Sequence, residues 1–205
     1  MAANFTSAAC ARGEDCLYFA FEESPSQILR NMRSVGVDLE PWIKKRLLHF
    51  HAMRPTSTGL EGHLACVHKL IKQLRPSVVV IDPITNLVSA SGIYGVKSML
   101  MRLVDFLKME QITSMFTNLT FAGDPQERTA AAVSSLMDTW IVLRDTAPNG
   151  RPRRELYLLK SRGMAHSREP RELIVSKRGI ELGIVVTDHT PATTVAGPSA
   201  VASAK

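Results

Sequence analysis

Nowhere in its 205 residues does the sequence contain G-x-x-x-x-G-K-[ST], the loop whose backbone amides and lysine cradle nucleotide phosphates. No uncharged apolar stretch approaches the roughly 18 residues of a membrane helix. The opening MAANFTSAACARGEDC is too polar, and too poor in early positive charge, for a secretory signal. Only Cys10, Cys16 and Cys66 are present, with no C-x-x-C. That excludes a disulfide framework and reads as reduced thiols in a cytoplasmic protein. Internal repeats are missing, and so is the aromatic-basic interleaving of a single-strand nucleic-acid binder. The histidines make no zinc site: His49 and His51 share a strand face without a third ligand, and His63 and His68, five apart on a helix, diverge, with His68 on the polar side.

What is there suits one globular domain with a sizeable core: 45% hydrophobic and 21% charged residues. The net charge of +6 reads as a solvated basic surface or as a preference for an anionic partner. Its densest cluster, Arg151, Arg153, Arg154, Lys160, Arg162, Arg168 and Arg171, is confined to one segment. That favours a local phosphate site over a nucleic-acid track.

Two near-continuous apolar runs, Cys16 to Phe21 and Ser77 to Ile81, predict strands buried on both faces of a parallel sheet. Helical stretches surround them: residues 2–12, a helix capped by Ser24 with Pro25 at its first position, a short one starting at Asp38, an apolar stripe from Leu60 to Leu74, and another from Val96 to Leu107. Leu47 to His51 and Ile112 to Phe116 add strands. This alternation predicts a three-layer α/β fold with a mostly parallel sheet. After Asp138 the pattern changes: Thr139 to Arg144 and Glu155 to Lys160 read as a hairpin around an Asn-Gly turn, and Arg171 to Ser176 as one more strand. Residues 1–186 form the expected domain. Residues 187–205, rich in Thr, Ala, Ser and Pro, read as a disordered tail.

Charged groups at strand ends mark where α/β sheets bind ligands. Asp82, ending its strand, is suited to Mg²⁺ beside a nucleotide, and equally to capping the turn before Pro83. Glu22 and Glu23 are suited to a general base, and at most one of them faces the site because neighbours on an extended chain point opposite ways. Helix-start acidity explains them equally well. Thr117 and Asn118 end a strand at the same edge, as phosphate contacts or as an ordinary turn. Ser134 and Ser135 are candidate phosphate acceptors, although adjacent serines are common. Lys160 and Arg162 can neutralise a transferring phosphoryl group or simply form a basic strand end.

Taken in order, FAFEESPSQILRNMRSVGVDLE, VVVIDPITNLV, ITSMFTN, SSLMDTWIVLRD and LYLLKSRGMAHS resemble the KaiC family of RecA-like ATPases over about residues 1–180. The likeness is greater to the second, C-terminal ATPase domain of the family's circadian clock protein than to the first. It implies a RecA-like fold, ATP with Mg²⁺ between subunits of a homohexamer, ATPase activity and serine/threonine autophosphorylation. In this sequence the catalytic pair would be Glu22 and Glu23, the metal residue Asp82, the nucleotide contacts Thr117, Asn118, Lys160 and Arg162, and the phosphoacceptors Ser134 and Ser135. Lys160 and Arg162 would reach a neighbour's nucleotide. In the family the phosphate loop lies just before the helix that here reads AANFTSAACARG. The expectation is therefore a C-terminal part of a larger two-domain protein, or a truncated product, with weak or no ATPase as it stands. The rival expectations are a non-catalytic ring-assembly or signalling module, with clock or signalling proteins as partners, and a DNA-associated RecA-like protein.

Overall fold

The two apolar runs become neighbouring central strands. β1 (Cys16–Ala20) is buried at every residue, and β3 (Val78–Asp82) at every residue but the last. The computed structural model describes residues 1–87, 92–119, 134–147, 150–177 and 179–186. β1 lies between β2 (Leu48–Ala52) and β3, β4 (Thr113–Phe116) flanks β3, and every pairing in this four-stranded sheet is parallel. Ala20 stands opposite both Ala52 and Asp82, so these strands end at a common carboxyl edge.

Alternate residues of β1 feed two cores, which is why the run needs no polar positions. Leu17, Phe19 and Phe21 join Val79 and Ile81 against α4 (Leu60–Leu74) and α5 (Ile93–Met109). Cys16, Tyr18 and Ala20 join Val78 and Val80 on the other face, against α1 (Ala2–Ala11), α2 (Pro25–Ser34) and the stretch around α3 (Glu40–Lys44). The result is the three-layer α/β architecture that the alternation predicts.

Local chemistry sets the helix ends. Ser24 and Gln27 form a reciprocal capping box on α2, with Pro25 at the first helical position, an arrangement worth about 1 kcal/mol. α4 stops at Arg75, which turns left-handed at φ 48°, because Pro76 disfavours another helical residue before it. His68 departs from expectation. It stacks on Phe106 of α5 at 4.1 Å, in the seam between helices and not on a polar face, and desolvation there lowers its pKa.

The segment after Asp138 holds more structure than a hairpin and one strand. β5 (Thr139–Thr146), β6 (Arg153–Ser161), β7 (Arg171–Ser176) and β8 (Gly179–Val185) form a second, wholly antiparallel sheet in that order. β8 escaped the sequence reading because glycines dilute the strand signal of GIELGIV. At Gly183 a Cβ would make a tight contact, 3.3 Å from that of Glu172. The second sheet leans on the first layer at Gly36, where φ is +79° and a Cβ would stand 2.2 Å from the Lys177 carbonyl oxygen. Of the expected Asn-Gly turn, Pro148 and Asn149 lie outside the described residues, as does the tail 187–205. No helix among the described residues is long and apolar enough to cross a membrane.

Candidate active site

Asp82 follows Val78 and Val80 onto the α1 face of the sheet. Each of its carboxylate oxygens accepts one hydroxyl: Tyr18 donates to Oδ2 and Thr117 to Oδ1. Tyr18 is only 2% exposed. Burial raises its pKa well above the usual phenol range, and the negative charges of Asp82 and Glu23 push the same way. Thr117 is itself fixed by the β3–β4 ladder, its N–H donating to Ile81 at 3.0 Å and its carbonyl accepting from Ile84 at 2.9 Å.

Asn118, one residue on, takes the Thr85 hydroxyl on Oδ1 at 3.0 Å. Thr85 Oγ1 in turn accepts the Leu119 N–H at 2.7 Å. The Asn118 Nδ2 group is buried and has no partner among the described residues. An unmet buried donor costs about 1–3 kcal/mol, and an anionic oxygen at this edge would satisfy it.

The glutamate pair lies at the same edge, since the Phe21 N–H donates to the Asp82 carbonyl at 2.9 Å. Glu23 Oε1 accepts from Asn31 Nδ2 at 2.8 Å. Glu22 is exposed, and its carbonyl accepts from Arg54 at 3.4 Å. Arg54 leaves the end of β2 in a turn held by Ser57, whose N–H and hydroxyl donate to the Arg54 carbonyl at 3.0 and 2.7 Å. The buried His63 imidazole bonds the next carbonyl, that of Pro55, at 3.0 Å.

The first turn of α1 also packs by this edge, Ala2 and Ala3 sharing one core cluster with Ala20 and Val80. No side chain caps this helix. Its first N–H groups and partial positive charge therefore favour an anion. The donor set fits a nucleotide phosphate with a hard cation. Mg²⁺ prefers oxygen, keeps several waters and uses one or two carboxylates plus phosphates. Asp82 offers one such carboxylate, and no three His, Cys, Asp or Glu residues converge into a closed cage among the described residues.

Lys160, Arg162, Ser134 and Ser135 assemble elsewhere. Lys160 Nζ donates to the Ser134 carbonyl at 2.8 Å, and Arg162 donates to the Ser135 carbonyl at 2.9 Å. The Arg162 N–H bonds the Asp138 carbonyl at 2.8 Å. The Asp138 carboxylate meets Lys108 at 3.0 Å and Arg162 at 3.7 Å. Lys108 belongs to the last turn of α5, which leads into Thr113, and Thr113 is registered with Val78 at the start of β3. This group therefore lies at the amino edge of the sheet, about 13 Å along the strands from Asp82.

So Glu22, Glu23, Asp82, Thr117 and Asn118 come together at one edge, and the two serines with their two cations at the other. Two further members of the basic cluster point apart. Arg153 pairs with Glu155 at 3.2 Å and Arg154 with Asp145 at 2.9 Å, on opposite sides of β6 as strand neighbours must be. Sequence reasoning passed over Tyr18, Arg54, Lys108 and Asp138. Only Tyr18 carried a signal, a hydroxyl inside a strand buried on both faces, which has to find a partner.

Residues 1–186 match the family model described as "ATPase: KaiC". The chain is 48% identical over 184 residues to circadian clock protein KaiC2 of Synechocystis sp., covering 89% of this chain and 32% of that protein. It is 32% identical over 185 residues to circadian clock protein KaiC3 of the same organism, covering 89% of this chain and 36% of that one. To circadian clock oscillator protein KaiC of Thermostichus vulcanus it is 32% identical over 184 residues, 89% of this chain and 35% of the relative. The chain thus spans about a third of the length of the curated relatives it matches. With the family model covering the parallel sheet and both edge clusters, this α/β chain belongs to the KaiC ATPase family.

Proposed function

We propose that this domain binds ATP with Mg²⁺ between the subunits of a cytoplasmic homohexameric ring, hydrolyses it, and phosphorylates its own Ser134 and Ser135. The observation that carries the reading is the division into two clusters at opposite edges of one sheet. The carboxylates and hydrogen-bonding groups of one edge suit Mg²⁺ and the phosphates. The cations and hydroxyls of the other edge, too far away to serve the same site, suit the nucleotide of an adjacent subunit.

Asp82, steadied by Tyr18 and Thr117, would hold the cation through water. Glu22 or Glu23 would take a proton from the attacking water or serine hydroxyl. Glu22, whose side chain has no hydrogen bond or ion pair among the described residues, suits that role, and Glu23, bonded to Asn31, suits orientation. Asn118 Nδ2 would donate to a phosphate oxygen. Lys160 and Arg162 of one chain would offset charge at the neighbour's phosphoryl group. Bound Mg²⁺ supplies charge neutralisation of the phosphates.

The 205-residue polypeptide contains no phosphate-cradling loop, so by itself it should bind ATP weakly. A second reading, a non-catalytic assembly module serving clock or signalling partners, draws support from Ile141, Leu143, Val175 and Leu182, each at least 42% exposed on the second sheet. The DNA-associated reading loses support because Arg153 and Arg154 are paired with carboxylates.

Calorimetric titration with Mg²⁺ and ATP tests the proposal on the chain as it stands and on the chain extended upstream by a G-x-x-x-x-G-K-[ST] segment. Weak binding by the first, tight binding by the second and phosphate on Ser134 or Ser135 by mass spectrometry are expected. Tight, stoichiometric binding by the unextended chain would refute the weight given to the loop. An extended chain that hydrolyses ATP without labelling either serine would be an ATPase and not a kinase.

A further inference from the structure

We propose that Lys160 and Arg162 receive a phosphate carried by Ser134 or Ser135 of the same chain, forming an intrachain phosphoserine clamp. The inference rests on the reading of these serines as phosphoacceptors. It adds a role that their contact with a neighbour's nucleotide does not contain.

Three observations carry it. First, each cation already sits on one of the two serines. Lys160 Nζ is 2.8 Å from the Ser134 carbonyl oxygen and Arg162 is 2.9 Å from that of Ser135. A phosphate on the hydroxyl of either residue falls within about 5 Å of that residue's own carbonyl. A change of side-chain rotamer, with no backbone movement, brings the cation from carbonyl to phosphate.

Second, the charges around the serines are unbalanced in the sense a phosphate needs. Among the described residues, the ionised groups tied to these serines by hydrogen bond or ion pair are Lys108 from α5, Asp138 ahead of β5, and Lys160 and Arg162 from β6 and its end. Three cations face one carboxylate, an excess of two positive charges. A phosphoserine dianion brings a charge of about −1.5 to −2. Arg162 and Lys160 spend their donors on neutral carbonyls, and Asp138 is shared between Arg162 at 3.7 Å and Lys108 at 3.0 Å. A phosphate is the stronger acceptor for both, and the guanidinium fork can take two of its oxygens at once.

Third, the place is open. Ser135 is exposed and the Arg162 side chain is 53% exposed, so the phosphate forms its contacts without being forced into the core. A chain modified in this way holds Lys160 and Arg162 at its own amino edge and withdraws them from an adjacent subunit.

The test installs phosphoserine at position 135, and separately at 134, during translation of the full 205-residue chain, so that neither ATP nor kinase activity is needed. Phosphorus NMR then follows the phosphate through its titration near pH 6. In the chain the phosphate should hold its proton at least threefold more weakly than in a free peptide of residues 131–138, a pKa lower by about half a unit. Arg162→Gln and Lys160→Gln keep a hydrogen-bond donor but lose the charge. Each should remove part of the shift, and together they should abolish it. Asp138→Asn should enlarge it by removing a like charge. Amide NMR spectra establish that each variant is folded. Should the double variant misfold, the comparison of the unmutated chain with the peptide still decides. A phosphate that titrates in the chain as in the peptide, at both positions, overturns the clamp, and so does a shift that survives the double substitution. Because the phosphate is placed synthetically, these outcomes are separate from a failure of ATP to label the serines.

Discussion

Replacing Tyr18 by Phe isolates the bond that orients Asp82. The ring stays, and with it the packing against Phe50 at a centroid distance of 5.0 Å. Only the hydroxyl is lost, and it is buried and donates to a carboxylate. Hydrogen bonds to charged groups contribute about 1.5–3 kcal/mol, so Tyr18→Phe should cost about 2 kcal/mol. For a domain of this size that lowers Tm by about 4–8 °C. Asp82→Ala removes the acceptor and orphans the hydroxyl, and in that background Tyr18→Phe should cost nothing or restore stability. Urea unfolding of the two single variants and the double variant, followed by circular dichroism, gives the coupling energy, expected near 2 kcal/mol. A coupling below about 0.5 kcal/mol would mean that the two side chains do not hold each other. An independent check lies in alkali. The folded Tyr18 pKa is raised above its unfolded value, which is about 10. Below that pH both states keep the proton. Above it the unfolded chain releases a proton that the folded chain retains, so this residue makes stability fall by up to about 1.4 kcal/mol per pH unit. The Phe variant lacks that component, so its deficit relative to the unmutated chain should shrink above about pH 10. A deficit that stays constant to pH 11 would contradict the assigned environment.

Gly36→Ala should destabilise by about 2–4 kcal/mol, because φ is +79° and the new Cβ meets the Lys177 carbonyl; a change under 0.5 kcal/mol in urea unfolding, within surface-substitution scatter, would show that the turn after α2 and the β7–β8 turn do not touch. Glu155, 3% exposed, accepts from Arg144 at 2.9 Å and Thr146 at 3.0 Å. Burial opposes its ionisation, but these bonds and the charges of Arg144 and Arg153 win and lower its pKa. Its stabilisation is complete above the unfolded value and declines as pH falls through the folded one, so Glu155→Gln should flatten the acid limb of a stability–pH curve; an unchanged limb refutes the assignment. In the chain extended with a phosphate loop, Arg162→Ala should lower ATP turnover, and mixing it with Glu22→Gln subunits should recover part, since some interfaces then pair an intact Arg162 with an intact Glu22. No recovery in demonstrably mixed rings would place Arg162 in its own subunit's site or in none.

The sequence alone determined the parallel sheet, because apolar runs such as CLYFAF and SVVVI can satisfy themselves only between two helical layers. It also located the α2 cap, where Ser24, Pro25 and Gln27 act within one turn, and the ends of α4 and β3, where Pro76 comes two residues after Leu74 and Asp82 directly after Ile81. These signals are local, and local chemistry is enough to read them. β8 was not legible: its glycines weaken the strand pattern, and what makes it a strand is pairing with β7. Nor was the setting of Asp82, whose hydroxyl partners come from 64 residues upstream and 35 downstream. His68 read as polar from its own helix and became a seam residue only because Phe106 of α5 stacks on it. The grouping of Lys108 and Asp138 with Lys160, Arg162 and the two serines was decided only in three dimensions. The end of α5, the start of β5 and the end of β6 meet at one edge, and no spacing along the chain encodes that meeting.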